Sequence, residues 1–229
     1  LNMHPNMLSS GKQDASFYND LWRELKRDGS WRGEIWNRRK DGELYIEQLT
    51  ISDISNTSGE ITNYVGIFSD ITQLKTQQQA LEMMAYHDVL TQLPNRVLLT
   101  DRFQQATARC NRTGSLLAVC FLDLDNFKQV NDHYGHNVGD QLLVQVSERI
   151  LSCIRDEDTA SRLGGDEFAI LIGDIHSTED CREALDRIHS TICEPFFIDG
   201  HELHITASSG ITIYPHDQVD IDTLLRHAD

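Results

Sequence analysis

Seven consecutive apolar residues, Leu116–Leu122, run without interruption into Asp123-Leu124-Asp125. The run is far short of the roughly 20 apolar residues a membrane helix needs, and an amphipathic helix would break it with polar positions every few residues. It reads as a strand buried on both faces, and such a strand requires other elements packed above and below it. The flanking sequence provides them. Leu99, Phe103, Ala106 and Cys110 recur at helical spacing before the run, Leu143, Val146, Ile150 and Ile154 after it, and Cys181, Leu185, Ile188 and Ile192 further on. A hairpin-like pair surrounds Gly164-Gly165, and Leu203–Ile213 reads as another strand. Residues 88–229 are therefore expected to form an α/β (α+β) domain, a mixed sheet flanked by helices. Ile221, Leu224, Leu225 and Ala228 predict a helix still running at Asp229, and the sequence opens on Leu1, so a longer parent protein is expected.

Residues 1–70 follow a different pattern. Phe17, Leu21, Trp22 and Leu25 predict one helix, stopped by Asp28-Gly29. Three strand-like runs follow, Trp31–Asn37, Leu44–Ile54 and Ile61–Ser69, separated by Lys40-Asp41-Gly42 and Asn56-Thr57-Ser58-Gly59, both good hairpin turns. An antiparallel meander is expected. Leu44 and Ile46 fall on one face of the middle strand and Leu49 and Ile51 on the other, which calls for a bulge or for two covered faces. Ile71, Leu74, Gln78, Leu81 and Ala85 then predict a connecting helix over 71–87, with Asp70 placed to cap it.

Charge narrows the function. Lys plus Arg number 20 against 36 Asp plus Glu, a net −16, which argues against a nucleic-acid groove or an anionic membrane surface. A phosphate ligand would need a metal. No basic segment followed by an apolar one opens the chain, and the five cysteines are odd in number without a Cys-x-x-Cys pair, so neither a disulfide framework nor a zinc site is suggested. A reducing, cytoplasmic setting is expected.

Asp123 and Asp125 stand at the C-terminal end of the buried strand, where α/β sheets keep their ligands, and strand alternation points both to one face. Arg162-Leu-Gly-Gly-Asp-Glu-Phe168 adds two glycines that permit a tight turn, followed at once by Asp166 and Glu167. Alone, either motif is an ordinary solvated turn; on adjacent strands the two make an oxygen-rich site suited to Mg²⁺ and a nucleoside triphosphate. Asp88-Val-Leu-Thr-Gln-Leu-Pro-Asn-Arg96, the Asp123 motif, Asn131-Asp132-His133-Tyr134-Gly135-His136, Gly139-Asp140 and Gly164-Gly165-Asp166-Glu167-Phe168, in this order, resemble the GGDEF family of diguanylate cyclases.

That resemblance implies a fold like class III nucleotidyl cyclases and polymerase palms, and the joining of two GTP molecules into cyclic di-GMP with loss of two pyrophosphates. It implies that Asp123, the Leu124 main-chain carbonyl and Asp166 hold Mg²⁺ or Mn²⁺, with Glu167 completing the shell, and that Asp166 or another carboxylate of its turn receives the 3′-hydroxyl proton. Asn131 and Asp140 would read guanine; Phe127, Lys128, His136, Gly164 and Gly165 would border the nucleotide. Arg155-x-x-Asp158 matches the family's inhibitory product site, although a charged helix end explains the same residues. Each domain holds one GTP, so catalysis requires a homodimer. The sequence ends before the lysine and arginine that family members set on the phosphates.

Phe17–Trp22, Trp31–Gly42 and Tyr64–Thr72 look like the second half of a PAS domain with its PAC strands. No sensory ligand is read from them: Trp31 and Trp36 are ordinary packing residues, and His4 is better taken as a surface histidine than as a haem ligand. The leading reading is a PAS-regulated diguanylate cyclase. A second is a GTP- or cyclic di-GMP-binding regulator of a downstream phosphodiesterase domain, suggested by Glu194-Pro-Phe-Phe-Ile-Asp-Gly200; a third is a PAS-mediated scaffold.

Overall fold

Asp14 caps the first helix, α1 (Ala15–Asp28), by accepting the Phe17 N–H at 2.9 Å, and Gly29 ends it in the left-handed conformation at φ +71°. The computed structural model describes residues 8–216, so His4 and the helix expected over 221–228 lie outside the described residues. The chain divides into two units, Leu1–Leu81 and Glu82–Asp229.

In the first unit β1 (Ser30–Arg38), β2 (Leu44–Ser55) and β3 (Ile61–Asp70) form the expected antiparallel meander in that order. Leu21 and Leu25 of α1 bury against Trp31 and Ile35, with Phe17, Leu49 and Ile51 packed around them. Phe17 meets the buried Trp31 edge to face, so Trp31 is a core residue. The β2 register is regular through Ile54 and slips only at Ile54/Ser55, beside the turn. Two partly covered faces, rather than a mid-strand bulge, therefore explain the alternation: Leu49 and Ile51 face α1 while Leu44 and Ile46 sit half-buried opposite. Asp70 holds the first turn of α2 (Thr72–Tyr86) by accepting the Thr72 N–H and hydroxyl. Those bonds and the Arg39 guanidinium lower its carboxyl to about 2. No α2 residue is buried.

The second unit alternates helix and strand: α3 (Arg96–Thr113), β4 (Leu116–Asp125), α4 (Phe127–Tyr134), α5 (His136–Cys153), β5 (Thr159–Gly164), β6 (Glu167–Ile175), α6 (Thr178–Ile192), β7 (Phe196–Ile198), β8 (His201–Leu203) and β9 (Thr206–Tyr214). The central strand is covered on both faces, as its apolar run requires. Ala118, Cys120, Leu122 and Leu124 face a core shared with α5 and α6, whereas Leu117 and Val119 face α3 through Leu99 and Phe103. β6 divides the same way, Phe168 and Ile170 to the first core, Ala169 and Leu171 to the second.

Strand direction differs from expectation. The sheet order is β5-β6-β4-β9 and each of these pairs is antiparallel. The helical crossover after β4 does deliver β5 parallel to β4, but β6 folds back between them and takes the place a parallel neighbour would have. The strand expected over Leu203–Ile213 is interrupted at His204-Ile205, because Leu203 pairs with β7 in a separate hairpin and only the residues from Thr206 pair with β4. Among the described residues no helix is long and apolar enough to cross a membrane.

Candidate functional site

The pairing of β4 with β6 sets Asp123 opposite Glu167, and the β5–β6 hairpin turns through Gly164-Gly165-Asp166 beside them. Gly164 and Gly165 adopt φ +152° and +52°, backbone that side-chain-bearing residues rarely enter, so the sharp turn depends on glycine. The Leu124 N–H donates to the Asp166 carbonyl at 3.3 Å, tying the two acidic segments together. Asp123 is exposed, yet partial burial and the neighbouring Asp166 and Asp125 raise its proton affinity above the usual carboxylate range. Asp125 goes the other way: it accepts the Thr206 hydroxyl at 2.5 Å and the Ser208 hydroxyl at 2.7 Å, which hold it ionised.

These groups suit an open cation site. Leu124 is buried with its side chain in the core, so its one possible ligand atom is the main-chain carbonyl, and among the described residues no three His, Cys, Asp or Glu side chains converge into a cage. Two carboxylates and a carbonyl, crowded enough to raise one carboxyl's pKa, fit Mg²⁺, which keeps water and substrate oxygens in its remaining positions.

On the neighbouring helices Asn131 is half-buried in α4 and Asp140 exposed in α5. The Asn131 amide has no hydrogen-bond partner among the described residues, which leaves it available to a ligand. Lys128 and His136 are exposed at the starts of α4 and α5. Phe127 is 7% exposed and its ring belongs to the core, so a contact from this residue to a nucleotide would come from its main chain. Phe168, the last residue of the Gly-Gly turn motif, is likewise fully buried.

Arg155 and Asp158 do come together. Asp158 accepts the Arg155 N–H at 3.0 Å and the Gly173 N–H at 3.1 Å, clamping the turn before β5, while Arg155 stays exposed. Each Asp158 oxygen retains a lone pair for a ligand.

Sequence reasoning missed Arg162. Its Nε and Nη2 donate to the Gly165 carbonyl at 3.0 and 2.7 Å, and Nη1 to Asp88 Oδ1 at 2.8 Å. Asp88 also accepts the Thr91 N–H and hydroxyl. The one available signal was a lone arginine two residues before the glycines. Burial alone would push the Asp88 carboxyl up, but Thr91 and Arg162 together hold it below its ordinary value. A lowered folded-state pKa means a stabilising contribution present above the ordinary carboxylate value, about 4, and lost as pH falls through the folded value. Asp88→Asn should accordingly melt well below wild type at pH 7 and close to it at pH 3, read by thermal unfolding at both.

A family model described as "Diguanylate cyclase, GGDEF domain" matches residues 85–229, and one described as "PAS domain" matches residues 1–73. The chain is 44% identical over 158 residues, 69% of its length, to the bifunctional diguanylate cyclase/cyclic di-GMP phosphodiesterase MucR of Pseudomonas aeruginosa, of which it spans 23%. It is 33% identical over 194 residues, 84% of its length, to the diguanylate cyclase TpbB of the same species, of which it spans 45%. A crystal structure of a sensory box/GGDEF family protein from Caulobacter crescentus superposes with a TM-score of 0.60 at 37% identity, covering 63% of this chain and 93% of that one.

Proposed function

Because this chain belongs to the GGDEF family of diguanylate cyclases, with a PAS domain ahead of its GGDEF domain, we propose that it condenses two GTP molecules into cyclic di-GMP and two pyrophosphates under PAS control. The observation that carries this reading is the convergence of the two acidic segments at the C-terminal end of β4, where Asp123 stands opposite Glu167 and the Leu124 N–H donates to the Asp166 carbonyl at 3.3 Å. Asp123, the Leu124 carbonyl and Asp166, with Glu167 alongside, would hold the divalent ion. Mg²⁺ or Mn²⁺ bound there supplies positive charge against the triphosphate and the transferred phosphoryl group.

The chain's own groups do the rest. Asp140 accepts from guanine N1–H and the N2 amine, a donor pair adenine lacks, and the Asn131 amide adds a contact of either polarity. Lys128 lies within α4's first turn, beside the phosphates. Each 3′-oxygen forms a bond to the partner's α-phosphorus as the bond to pyrophosphate breaks, and the hydroxyl proton passes to a carboxylate of the Gly164–Glu167 turn. One site positions one nucleotide, so two GGDEF domains must face each other as a homodimer; such alignment is worth up to about 7–11 kcal/mol in favourable intramolecular cases. Domain limits of 1–70 for the PAS portion, 71–87 for the connecting helix and 88–229 for the GGDEF domain fit this division of labour.

The test is incubation of the full-length protein with GTP and Mg²⁺, following cyclic di-GMP and pyrophosphate by chromatography, and both products are expected. The similarity to a bifunctional cyclase/phosphodiesterase favours a second reading, in which this domain binds GTP or cyclic di-GMP and controls a phosphodiesterase. A GTP-dependent change in phosphodiesterase activity without synthesis would select it. The exposed Arg155, three residues before the clamped Asp158, supports feedback by product, since a guanidinium can bond guanine O6 and N7 together. Arg155→Ala should keep the initial rate and weaken inhibition by cyclic di-GMP at least about tenfold, measured as initial rates against added product; unchanged inhibition would place the feedback site elsewhere.

A further inference from the structure

Gly139 is buried in the first turns of α5 with no positive φ, so nothing in the backbone there asks for glycine. Within a helix glycine is the poorest residue apart from proline, and an alanine would serve the helix better. What the position does demand is space. A β-carbon built on Gly139 would overlap Asn131 Oδ1, lie 2.9 Å from Asn131 Cγ and stand 3.3 Å from Phe127 Cζ.

The two neighbours would respond differently. Phe127 is a core residue packed among buried side chains and has little room to retreat. Asn131 is half-buried, its amide has no partner among the described residues, and its overlapping atoms are the far end of a flexible side chain. A methyl group at this position would therefore first rotate the Asn131 amide away, leaving a tight contact to Phe127 that a shift of a few tenths of an ångström takes up.

We infer that Gly139 is a positioning residue: the side chain it lacks is the space that keeps the Asn131 amide aimed at the base that Asp140 selects, and so it strengthens the binding of guanine nucleotides. The inference rests on the assignment of Asn131 and Asp140 as guanine contacts. It also accounts for a glycine in the helix next to Asp140, where the loss of helix propensity is offset by the placement of a group on a different helix.

The test uses 3′-deoxy-GTP and 3′-deoxy-ATP, which lack the attacking hydroxyl and so report binding without turnover, titrated with Mg²⁺ into the full-length protein by calorimetry. Wild type, Gly139→Ala, Asn131→Ala and the double variant are compared, each also by thermal melting. Gly139→Ala is expected to weaken 3′-deoxy-GTP about tenfold, the scale of one hydrogen bond to a ligand, to leave unchanged 3′-deoxy-ATP, whose base lacks the donor pair that Asp140 would seat, and to melt close to the wild-type temperature, the gain in helix propensity being set against the tight contact with Phe127. The double variant should bind no worse than Asn131→Ala alone, because once the amide is gone the methyl group has nothing left to displace. Should Gly139→Ala by itself destabilise the fold, the double variant removes the overlap and still reports this non-additivity.

Undiminished 3′-deoxy-GTP affinity in Gly139→Ala, or losses that simply add in the double variant, would overturn the inference while leaving the guanine contacts standing. A wild-type protein that does not distinguish the two nucleotides would overturn the guanine assignment itself, and this inference with it.

Discussion

Asp166→Asn in the full-length protein is expected to cut cyclic di-GMP synthesis by roughly three orders of magnitude or more, the rate equivalent of several kcal/mol of lost charge stabilisation on the transferred phosphoryl group. Asparagine keeps the shape of the side chain and leaves the residue 166 carbonyl free to accept the Leu124 N–H, as it does at 3.3 Å in the wild type, so the turn stays closed. The fold should not suffer. Asp166 is only half-buried at a hairpin tip, and its charge adds to the repulsion that raises the Asp123 pKa. The variant should melt at or slightly above the wild-type temperature, and the Asp123 carboxyl should ionise at lower pH once that neighbour is neutral. Synthesis from GTP and Mg²⁺, measured beside melting curves, checks both expectations. Retained synthesis would remove Asp166 from the metal site.

The second large effect is expected at Arg162. Its side chain is 10% exposed and that of Asp88 23%, and one guanidinium serves both the Gly165 carbonyl and the Asp88 carboxylate. Arg162→Ala leaves the carbonyl without its side-chain donors and the carboxylate without its counter-charge. The cost should be about 2–4 kcal/mol, a fall in melting temperature on the order of 5–10 °C for a unit of this size. Activity should fall further than stability alone explains, by about a hundredfold at a temperature where the variant is still folded, because a displacement near 1 Å of the turn bearing Asp166 is enough for that. Arg162→Lys should recover part of the stability and little of the rate, since an ammonium keeps the charge but not the planar fork that reaches both acceptors. A folded Arg162→Ala variant with wild-type turnover would show that the turn holds its geometry without the arginine.

Much of this was legible in the chain itself. The apolar run Leu116–Leu122 could be read as a doubly covered strand because both of its faces are filled, and each filled face leaves an apolar letter at every position. The helices announced themselves by period, and the acidic turns by their glycines and carboxylates, since turn conformation is a local property of few residues. Strand neighbours were not local. Whether β5 lies against β4, or β6 comes between them, depends on how the β5–β6 hairpin docks, and no residue within either strand records it.

The same division runs through the site. Sequence alone supplied the candidates, the carboxylates and glycines of the acidic turns through their chemistry and the guanine contacts through the resemblance to the GGDEF family, because residue type and motif order are written along the chain. Only the tertiary structure decided that the Phe127 ring belongs to the core, that Arg162 bridges Gly165 and an Asp88 standing 74 positions earlier, and that Gly139 makes room for an amide on another helix. Each of these depends on distances between separate segments of the chain, and packing in three dimensions, rather than the chemistry of any one residue, sets such distances.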